Sequence, residues 1–372
     1  MNYKTLALFS DINWGVLPRS FFYFEFLLWV ILLGFPIFIF LLHRYQGLSL
    51  NKTLKYLYIV GCLLFSVLSF IWTSSIWIFL VGVLSIGFVW KLETITQRFK
   101  WPITFVLIFC LVCTIWGSYF ESRMLVLREF DLDIEAFPTM RIVVVSDLHV
   151  GPYKKDAWVA RVVKGINAIE RVDGVFIPGD FVYGDSEYYA PFLKPLENIK
   201  APLYVTLGNH DHHKDPEKNE HQAKYVNQNL EDLGILPMNN LSKYWEDKSL
   251  TIIGLDDNDL GYGDLDKALE GVDRAKPAIL LTHSPDIMDE VGEYLIPDTS
   301  YLILSGHTHC GQLRIPGYGA LPLTIPTVNG KKYEKHYYKE DNKHLFITCG
   351  VGEVGPRGRF FDPPEMVILN IN

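Results

Sequence analysis

Residues 302–311, LILSGHTHCG, contain the pattern that decides the fold of the second two-thirds of this chain. An apolar run typical of a buried strand ends abruptly in a serine and a glycine, and His307 and His309 follow with one residue between them. The two histidines are either metal ligands or polar residues of a turn. Cys310 beside them adds a third interpretation, a nucleophile with its base. The stretch alone leaves all three interpretations open.

Four other apolar runs, IVVV, VFIP, LYVTL and AILL, also release polar side chains where they end. The five polar ends are Ser146-Asp147-Leu148-His149, Gly179-Asp180, Gly208-Asn209-His210-Asp211, Thr282-His283 and Ser305-Gly306-His307-Thr308-His309. In open α/β sheets, ligands bind at the carboxyl ends of the strands. These side chains, far apart in sequence, are therefore expected to converge on one site.

Short runs rich in Val, Ile and Leu recur after Pro138 and predict strands. The predicted strands are Ile142–Val145, Val175–Ile177, Leu203–Leu207, Leu250–Leu255, Ala278–Leu281, Tyr301–Leu304, Leu345–Thr348 and Met366–Ile371. Helical stretches at Asp156–Glu170 and His221–Leu233 lie between some of them. This alternation predicts an α/β domain with a central sheet.

The residue types at the strand ends favour a metal centre. Neutral imidazole and carboxylate groups suit Mn, Fe or Zn, and the polar ends contain no set of thiolates for a tetrahedral sulfur site. The seven candidate ligands are Asp147, His149, Asp180, Asn209, His283, His307 and His309. Seven ligands exceed the needs of one tetrahedral zinc ion and match two divalent metal ions that share a carboxylate, roughly 3.5–4 Å apart.

The five blocks resemble those of the calcineurin-like metallophosphoesterases and occur in the order expected for that superfamily. Further features resemble its bacterial membrane-associated phosphodiesterase branch: THSPD around His283, Gly311-Gln312 after the histidine pair, and the terminal stretch GPRGRFFDPPEMVILNI. The resemblance covers residues 139–372. It implies a two-sheet β-sandwich flanked by helices, preceded here by an all-α transmembrane region.

The resemblance also implies a role for each residue of the five blocks. Asp147, His149 and His309 would bind one metal, Asn209, His283 and His307 the other, and Asp180 both. His210 would act beside the leaving group as a general acid or phosphate donor, with Asp211 orienting it. A metal-bound water would then attack the phosphorus in line, as in other two-metal sites.

The first third of the chain differs in composition from the rest. Residues 1–120 contain three acidic and eight basic residues, whereas residues 121–372 contain 39 acidic and 26 basic ones. Four apolar runs with few acids suit membrane spans better than core helices. The predicted spans are Phe26–Leu42, Tyr56–Trp72, Ile76–Trp90 and Trp101–Trp116. The predicted organisation is a transmembrane region over residues 1–120, a linker and edge strand over 121–138, and a metallophosphoesterase domain over 139–372.

The orientation in the membrane is predicted from Lys and Arg in the short loops. The two loops after the first and third spans contain six basic residues, against four on the other side. Basic loops tend to be cytoplasmic. The chain is therefore predicted to be a multi-pass protein of the plasma (inner) membrane with an extracytoplasmic catalytic domain, and the merger of two spans would reverse this orientation.

The substrate is predicted as a phosphate ester at the bilayer, a lipid-linked phosphodiester or pyrophosphate. A second candidate reaction is hydrolysis of UDP-2,3-diacylglucosamine in lipid A synthesis, a cytosolic substrate that conflicts with the predicted orientation. Two hypotheses without catalysis compete with these, a catalytically silent membrane receptor that retains the fold and a structural zinc protein. The receptor predicts missing ligands, and the zinc protein predicts a cluster of cysteines. The acidic charge of residues 121–372 argues against nucleic acid as a partner.

Several residues outside the ligand set have two interpretations. His212 and His213 belong to a solvated loop or line the cleft. Asp256 and Asp257 follow a strand but lie outside the family's blocks. Arg357 and Arg359 contact a phosphate or form a surface turn. Cys310 stands where the family branch has glycine and is not expected to be a nucleophile, and the sequence does not show whether it pairs with Cys349.

Overall fold

The computed structural model describes residues 3–7, 97–212, 216–295, 299–320, 327, 330–355 and 358–372. These residues fall into two compact units. The larger unit contains residues 3–7, 119–354 and 358–372, with the gaps given above, and the smaller contains residues 97–118 and Gly355.

Strands account for most of the regular structure in the larger unit. In chain order they are β1 (Tyr3–Ala7), β2 (Val126–Leu132), β3 (Met140–Val144), β4 (Gly174–Pro178), β5 (Leu203–Thr206), β6 (Leu241–Trp245), β7 (Leu250–Gly254), β8 (Ala278–Leu281), β9 (Tyr301–Ser305), β10 (Arg314–Ile315), β11 (Gly319–Ala320), β12 (His336–Glu340), β13 (Lys343–Ile347) and β14 (Glu365–Ile371).

The α-helices are fewer than the strands among the described residues. They are α1 (Gln97–Ile115), α2 (Asp156–Asn167), α3 (Ser186–Tyr189), α4 (Pro216–Asp232), α5 (Leu265–Ala268) and α6 (Ile287–Glu290). A π-helical turn follows α1 at Trp116–Phe120, and 3-10 turns lie at Glu121–Arg123, Ala190–Asn198, Glu246–Lys248, Val291–Glu293, His309–Gly311 and Gly330–Tyr333.

The strands form two six-stranded sheets and a small hairpin of β10 and β11. The first sheet has the order β1-β2-β14-β3-β4-β5 and the second the order β12-β13-β9-β8-β7-β6. All eight predicted strands are present, as are helices at both predicted helical stretches. Sequence reasoning missed β1, β6, β12 and the hairpin of β10 and β11. Of these, β6 and β12 are polar, partly exposed edge strands that contain no apolar run.

The two sheets pack face to face through one buried apolar cluster. Period-two alternation explains the packing, because Ile142 and Val144 of β3 join this cluster while Val143 and Val145 face the other side of the sheet. Phe346 contributes to the cluster from the second sheet. The predicted two-sheet sandwich is thus present in the larger unit.

Helices cover the outer faces of both sheets. On α2, Val159, Val162, Val163 and Ile166 recur at helical spacing and pack on the first sheet. Ala268 of α5 and the apolar side chains of α6 pack on the second sheet. The layer order is helices, sheet, sheet, helices, as expected for a sandwich flanked by helices.

Parallel pairing positions the strand ends that carry the predicted ligands. In the first sheet β3, β4 and β5 are parallel neighbours, and in the second β7, β8 and β9 are. The carboxyl ends of each group therefore lie along one edge of its sheet. Because β4 approaches β8 and β9 across the sandwich, these two edges adjoin.

The amino-terminal predictions are only partly within the described residues. The first three predicted spans lie outside them. The fourth, Trp101–Trp116, corresponds to α1, a 19-residue helix with Pro102 inside it. In the part of the chain that the structure describes, no helix has the combined length and apolarity needed to cross a bilayer. The strand predicted within residues 121–136 is β2, and β1 lies outside it in the sheet.

Replacing Phe176 with alanine tests the inter-sheet cluster. The Phe176 ring is fully buried and lies 5.1 Å from the Tyr204 ring and 6.2 Å from the Trp245 ring, centroid to centroid. Its removal leaves a cavity, so we expect the free energy of unfolding to fall by about 3–5 kcal/mol, measured by denaturant titration. Tyr188→Ala, at an exposed aromatic, is the control and should change it by less than about 0.5 kcal/mol. A loss at Phe176 no larger than the control would contradict the described packing.

Candidate metal centre

Four buried side chains from the ends of β3, β4 and β9 form the first half of the centre. They are Asp147, His149, Asp180 and His309. The Nε2 atoms of His149 and His309 lie 3.0 Å apart, and His309 Nε2 lies 3.3 Å from Asp147 Oδ1. His149 Nε2 lies 3.3 Å from Asp180 Oδ2. Donor atoms of four ligand residues thus surround one point, an arrangement able to hold a divalent cation.

Three further side chains form the second half of the centre beside the same Asp180 oxygen. His283 Nε2 lies 3.1 Å from Asp180 Oδ2 and 3.1 Å from Asn209 Oδ1. His307 Nδ1 lies 3.0 Å from Asn209 Oδ1 and 3.1 Å from His283 Nε2. The structure therefore brings all seven predicted ligands together, in the two groups that the resemblance implies, with Asp180 between them.

The partners on the far side of the His283 and His307 rings show which ring nitrogen of each faces the centre. His283 Nδ1 lies 2.8 Å from the Pro178 carbonyl oxygen, which can only accept, so Nδ1 donates and a neutral ring leaves Nε2 unprotonated. On the far side of the His307 ring, Asp259 Oδ2 lies 3.0 Å from Nε2 and accepts its proton in a hydrogen bond. When both rings are neutral, as in metal ligands, His283 Nε2, His307 Nδ1 and Asn209 Oδ1 are three acceptors in mutual contact, and the raised pKa of His283 shows that a proton otherwise occupies this place. Such a set is stabilised by a cation, so these residues fit a metal ion.

The electrostatics of the first half suit neutral imidazole ligands. Burial lowers the pKa of His149 to about 3 and that of His309 well below its usual value. Burial raises the pKa of Asp147 to about 6. Both rings are therefore uncharged at neutral pH, the form in which histidine binds metals.

Asp180 and His283 show that the middle of the centre attracts positive charge. Burial raises the pKa of Asp180, but His283, His210 and His149 lower it more, and the result is well below the usual range. Burial lowers the pKa of His283, but the Asp180 carboxylate outweighs it and leaves the pKa well above its usual value. A buried, ionised carboxylate at this place favours a proton or a metal cation beside it.

Left-handed backbone conformations turn the chain sharply just after the strands. Five of the seven predicted ligands have positive φ angles: Asp147 at 53°, His149 at 43°, Asp180 at 58°, His307 at 67° and His309 at 48°. Non-glycine residues in this region cost about 1–3 kcal/mol each and cluster at functional sites. The strain indicates that the surrounding packing holds these side chains in place.

Two glycines allow the backbone to approach the candidate ligands closely. A Cβ atom at Gly208 would meet Asp180 Oδ1 and would lie 2.8 Å from His283 Cγ. A Cβ atom at Gly306 would meet the Ser146 hydroxyl. Neither position has room for a side chain, because backbone and ligand share the space.

His210 lies beside the first half of the centre rather than within the ligand set. Its ring is edge-on to His149 at 5.0 Å and lies 5.4 Å from Tyr183, centroid to centroid. Its backbone N–H donates to Asp180 Oδ1 at 2.9 Å. Burial lowers the pKa of His210. The half-buried ring is thus available to a substrate while its backbone supports the shared carboxylate.

Asp211 has different partners from the one predicted. Its carboxylate accepts hydrogen bonds from the backbone N–H groups of Phe181 (2.9 Å), Val182 (3.0 Å) and Gly208 (3.1 Å). Burial raises its pKa to about 7. The predicted role of orienting His210 is therefore corrected: through these contacts Asp211 joins the turn after β4 to the turn after β5, and so supports Asp180.

His212 and Asp256 form a buried pair beside the centre. His212 Nε2 lies 2.8 Å from Asp256 Oδ1, and its ring stacks on Tyr262 at 4.3 Å. His212 is 7 % exposed, so it does not belong to a solvated loop as the sequence favoured. The pair connects the loop after β7 to the turn that carries Asn209.

Arg359 supports the centre from behind and does not form a surface turn. Its fully buried guanidinium donates to the carbonyl oxygens of Gly352 (3.0 Å) and Cys349 (2.7 Å), and Nη2 lies 3.3 Å from His309 Nδ1. Its donors are thus directed to backbone carbonyls, and the guanidinium packs against the edge of the His309 ring. Arg357 and His213 lie outside the described residues.

A disulfide joins Cys310, directly after His309, to Cys349 at the end of β13. Cys310 has a φ of 51°, so cysteine adopts the left-handed conformation expected where the family has glycine. His336 and Glu365 lie beside the two sulfurs, and these four residues form a second group with ligand-like spacing. Because the two sulfurs are bonded to each other, neither is a thiolate, and the group is a disulfide cross-link with two polar neighbours and not a zinc site.

Comparisons with known proteins agree with this geometry. The profile of the calcineurin-like phosphoesterases matches residues 140–311, the range that holds all seven predicted ligands. A metallophosphoesterase of Aquifex aeolicus is 30 % identical over 275 residues, 68 % of this chain and 94 % of that protein. One of Bacillus subtilis is 26 % identical over 269 residues, 69 % of this chain and 88 % of that protein.

Other relatives are longer than the matched region. A Danio rerio protein named "Transmembrane protein with metallophosphoesterase domain" is 27 % identical over 268 residues, 67 % of this chain and 58 % of that protein. The matches cover 54 % of a Caenorhabditis elegans relative and 60 % of two Helicobacter pylori relatives. For these relatives, similarity extends over little more than half of the protein.

Replacing Asp180 with alanine tests the shared position. Because its carboxylate adjoins both groups of ligands, we expect its loss to reduce bound metal in both halves of the centre, to below one ion per chain. The measurement is elemental analysis after Mn²⁺ reconstitution and gel filtration. Asp185→Ala, which removes the cap of α3 further along the same loop, should keep the wild-type metal content. Two ions retained in Asp180→Ala would show that this carboxylate is not shared.

Proposed function

We propose that this chain, which belongs to the calcineurin-like metallophosphoesterase family of metal-dependent phosphoesterases, is a membrane-anchored hydrolase of phosphodiester or pyrophosphate bonds in a lipid-linked substrate. The observation that supports this most is the single Asp180 oxygen that lies within 3.3 Å of a histidine in each half of the centre. Two-metal sites that hydrolyse phosphate esters share a carboxylate in this way. Our assignment places Asp147, His149 and His309 on one metal, Asn209, His283 and His307 on the other, and Asp180 on both.

Divalent ions bound there would polarise the phosphate ester and lower the pKa of water, whichever of Mn, Fe or Zn is bound. The chain's own contribution is to hold the ligands rigidly. The Pro178 carbonyl orients His283, and Asp211 clamps the turns that carry Asp180 and Asn209. Pre-organised ligands of this kind need little rearrangement during the reaction.

His210 is the residue we assign to the leaving group. Its ring stands against His149 and is half-buried, so a phosphate ester bound at the centre would lie within its reach. A ring N–H of His210 would donate to the departing oxygen as negative charge develops on it. Positioned general acids of this kind contribute about 10²–10⁴-fold.

Membrane anchoring is supported by the amino-terminal third. Residues 1–120 carry only three acidic residues, and α1 exposes large apolar side chains, among them Phe105 at 71 % and Phe109 at 59 %. Exposed apolar patches mark surfaces that meet a partner or a membrane. A relative in Danio rerio carries the word "transmembrane" in its name. We therefore retain the multi-pass region over residues 1–120 as part of the proposal.

The disulfide supports an extracytoplasmic catalytic domain. Disulfides persist in oxidising compartments and are rare in the cytosol. An extracytoplasmic site favours a lipid-linked phosphodiester or pyrophosphate over UDP-2,3-diacylglucosamine, which is cytosolic. A catalytically silent receptor is disfavoured because all seven ligand positions are filled by residues able to bind metal.

Replacing His210 with glutamine tests both the activity and the role of that residue. With Mn²⁺, we expect the wild-type chain to hydrolyse bis(p-nitrophenyl) phosphate and a dialkyl phosphate diester, whose leaving group is an alkoxide. His210→Gln should lower kcat/KM by about 10²–10⁴-fold for an alkyl leaving group and far less for nitrophenolate, which departs without a proton. Steady-state kinetics on both substrates provide the comparison.

His344→Gln is the matched control for this experiment, since His344 lies near the start of β13 and bonds to the Tyr337 hydroxyl. It should leave both rates unchanged. No hydrolysis by the metal-loaded wild type would refute the enzyme proposal. An equal loss on both leaving groups would refute only the role of His210.

Cysteine trapping and protease treatment together test the membrane side. If the catalytic domain is extracytoplasmic, alkylation of acid-quenched cells should leave Cys310 and Cys349 unmodified until a dithiol is added. Protease added to cells with a permeabilised outer boundary should then remove residues 121–372, whereas inverted vesicles should protect them. Cysteines that are alkylated without reduction, together with protection in cells and cleavage in inverted vesicles, would place the domain in the cytoplasm.

A further inference from the structure

We infer that Asp259 is a positioning residue for the second half of the metal centre, fixing the His307 ring so that Nδ1 faces the metal. This inference rests on the proposed function, because it takes His307 as a ligand. Asp259 lies outside the five polar strand ends, in the same acidic stretch as Asp256 and Asp257. The fold, not the local sequence, brings it to the ligand.

The geometry of the contact sets the tautomer of His307. Asp259 Oδ2 lies 3.0 Å from His307 Nε2, and the two side chains are 21 % and 5 % exposed. An ionised carboxylate only accepts hydrogen bonds, so Nε2 carries the proton. In the neutral ring that binds a metal, Nδ1 then carries the lone pair, and it points to Asn209 and His283 at 3.0 Å and 3.1 Å. The opposite tautomer would direct a proton into the ligand cluster.

The loop that presents Asp259 is held in a defined shape. The Asp257 carbonyl oxygen accepts from the N–H groups of Tyr262 and Gly263, both at 2.8 Å, and its carboxylate accepts from Leu260 N at 2.8 Å. Asn240 Oδ1 accepts from Asp264 N at 2.9 Å at the end of the loop. Because β7 neighbours β8 in the sheet, this loop emerges beside the strand end that carries His283.

Asp259 also connects the two histidine ligands of this half. Its carboxylate forms a hydrogen bond with Ser284, the residue directly after His283, as well as with His307. His283 itself is oriented by a neutral carbonyl, that of Pro178, whereas His307 is oriented by a charged carboxylate. Carboxylate partners fix ring orientation and make a histidine ligand more basic, and their loss weakens metal affinity about 10–100-fold.

The same loop provides a matched control. Asp264 lies at the end of the same loop, where its side chain accepts a hydrogen bond from the Lys267 backbone N–H at 3.0 Å and caps α5. A general loss of loop structure would follow from removing either aspartate. A positioning role toward the metal requires the contact with His307, which Asp259 makes.

The experiment titrates chelator-treated full-length protein with Mn²⁺ and follows both binding steps by calorimetry and elemental analysis. We expect Asp259→Ala to weaken one step by about 10–100-fold and leave the other unchanged, whereas Asp264→Ala keeps both steps. The isosteric Asp259→Asn, which keeps the shape and loses the charge, should weaken the same step less. Asp259→Asn also tests the inference if the alanine variant does not fold. Thermal unfolding of the metal-free variants controls for general loss of structure.

The outcomes separate this inference from the function on which it rests. A wild-type chain that does not bind two ions refutes the binuclear centre itself. A wild-type chain that binds two ions, with Asp259→Ala and Asp259→Asn binding both as tightly, refutes only the role of Asp259. Equal weakening by the Asp264 and Asp259 variants would also overturn it, because the effect would then belong to the loop.

Discussion

The buried carboxylate of Asp180 is the interaction on which the rest of the structure depends. An ionised carboxylate away from water is unfavourable unless positive charge and hydrogen bonds surround it. The fold meets this condition by placing His283, whose pKa is raised, against Asp180 Oδ2 and by directing the His210 backbone N–H to Oδ1. The metal-binding function and the stability of this region therefore have the same physical origin.

Several structural features hold Asp180 at this place. Asp211 binds the backbone directly after it, and Gly208 has no side chain that would collide with it. The left-handed backbone at Asp180, His307 and other ligands is unfavourable locally. The two packed sheets offset that cost, because strands whose ends meet at one edge leave the turns little freedom. The disulfide after His309 adds a covalent constraint at the same edge.

Much of the centre was predictable because buried strands interrupt their apolar pattern only where function requires it. The runs before Asp147, Asp180, Asn209, His283 and His307 were recognisable in the sequence, and the fold brings those residues together. The partners of Asp211, the buried position of Arg359 and the contact between Asp259 and His307 were not predictable. Each depends on a loop approaching an element distant in sequence, and a single sequence contains no signal for that approach.

The sequence by itself determined the class of fold and the candidate ligands, because hydrophobic periodicity and residue chemistry are local properties. It also determined that the first third differs in composition from the rest. The tertiary structure decided which nitrogen of each ring faces the centre, that Cys310 pairs with Cys349, and which carboxylates support the ligands. These are properties of distance and direction, and they arise only when the two sheets pack and their strand ends meet.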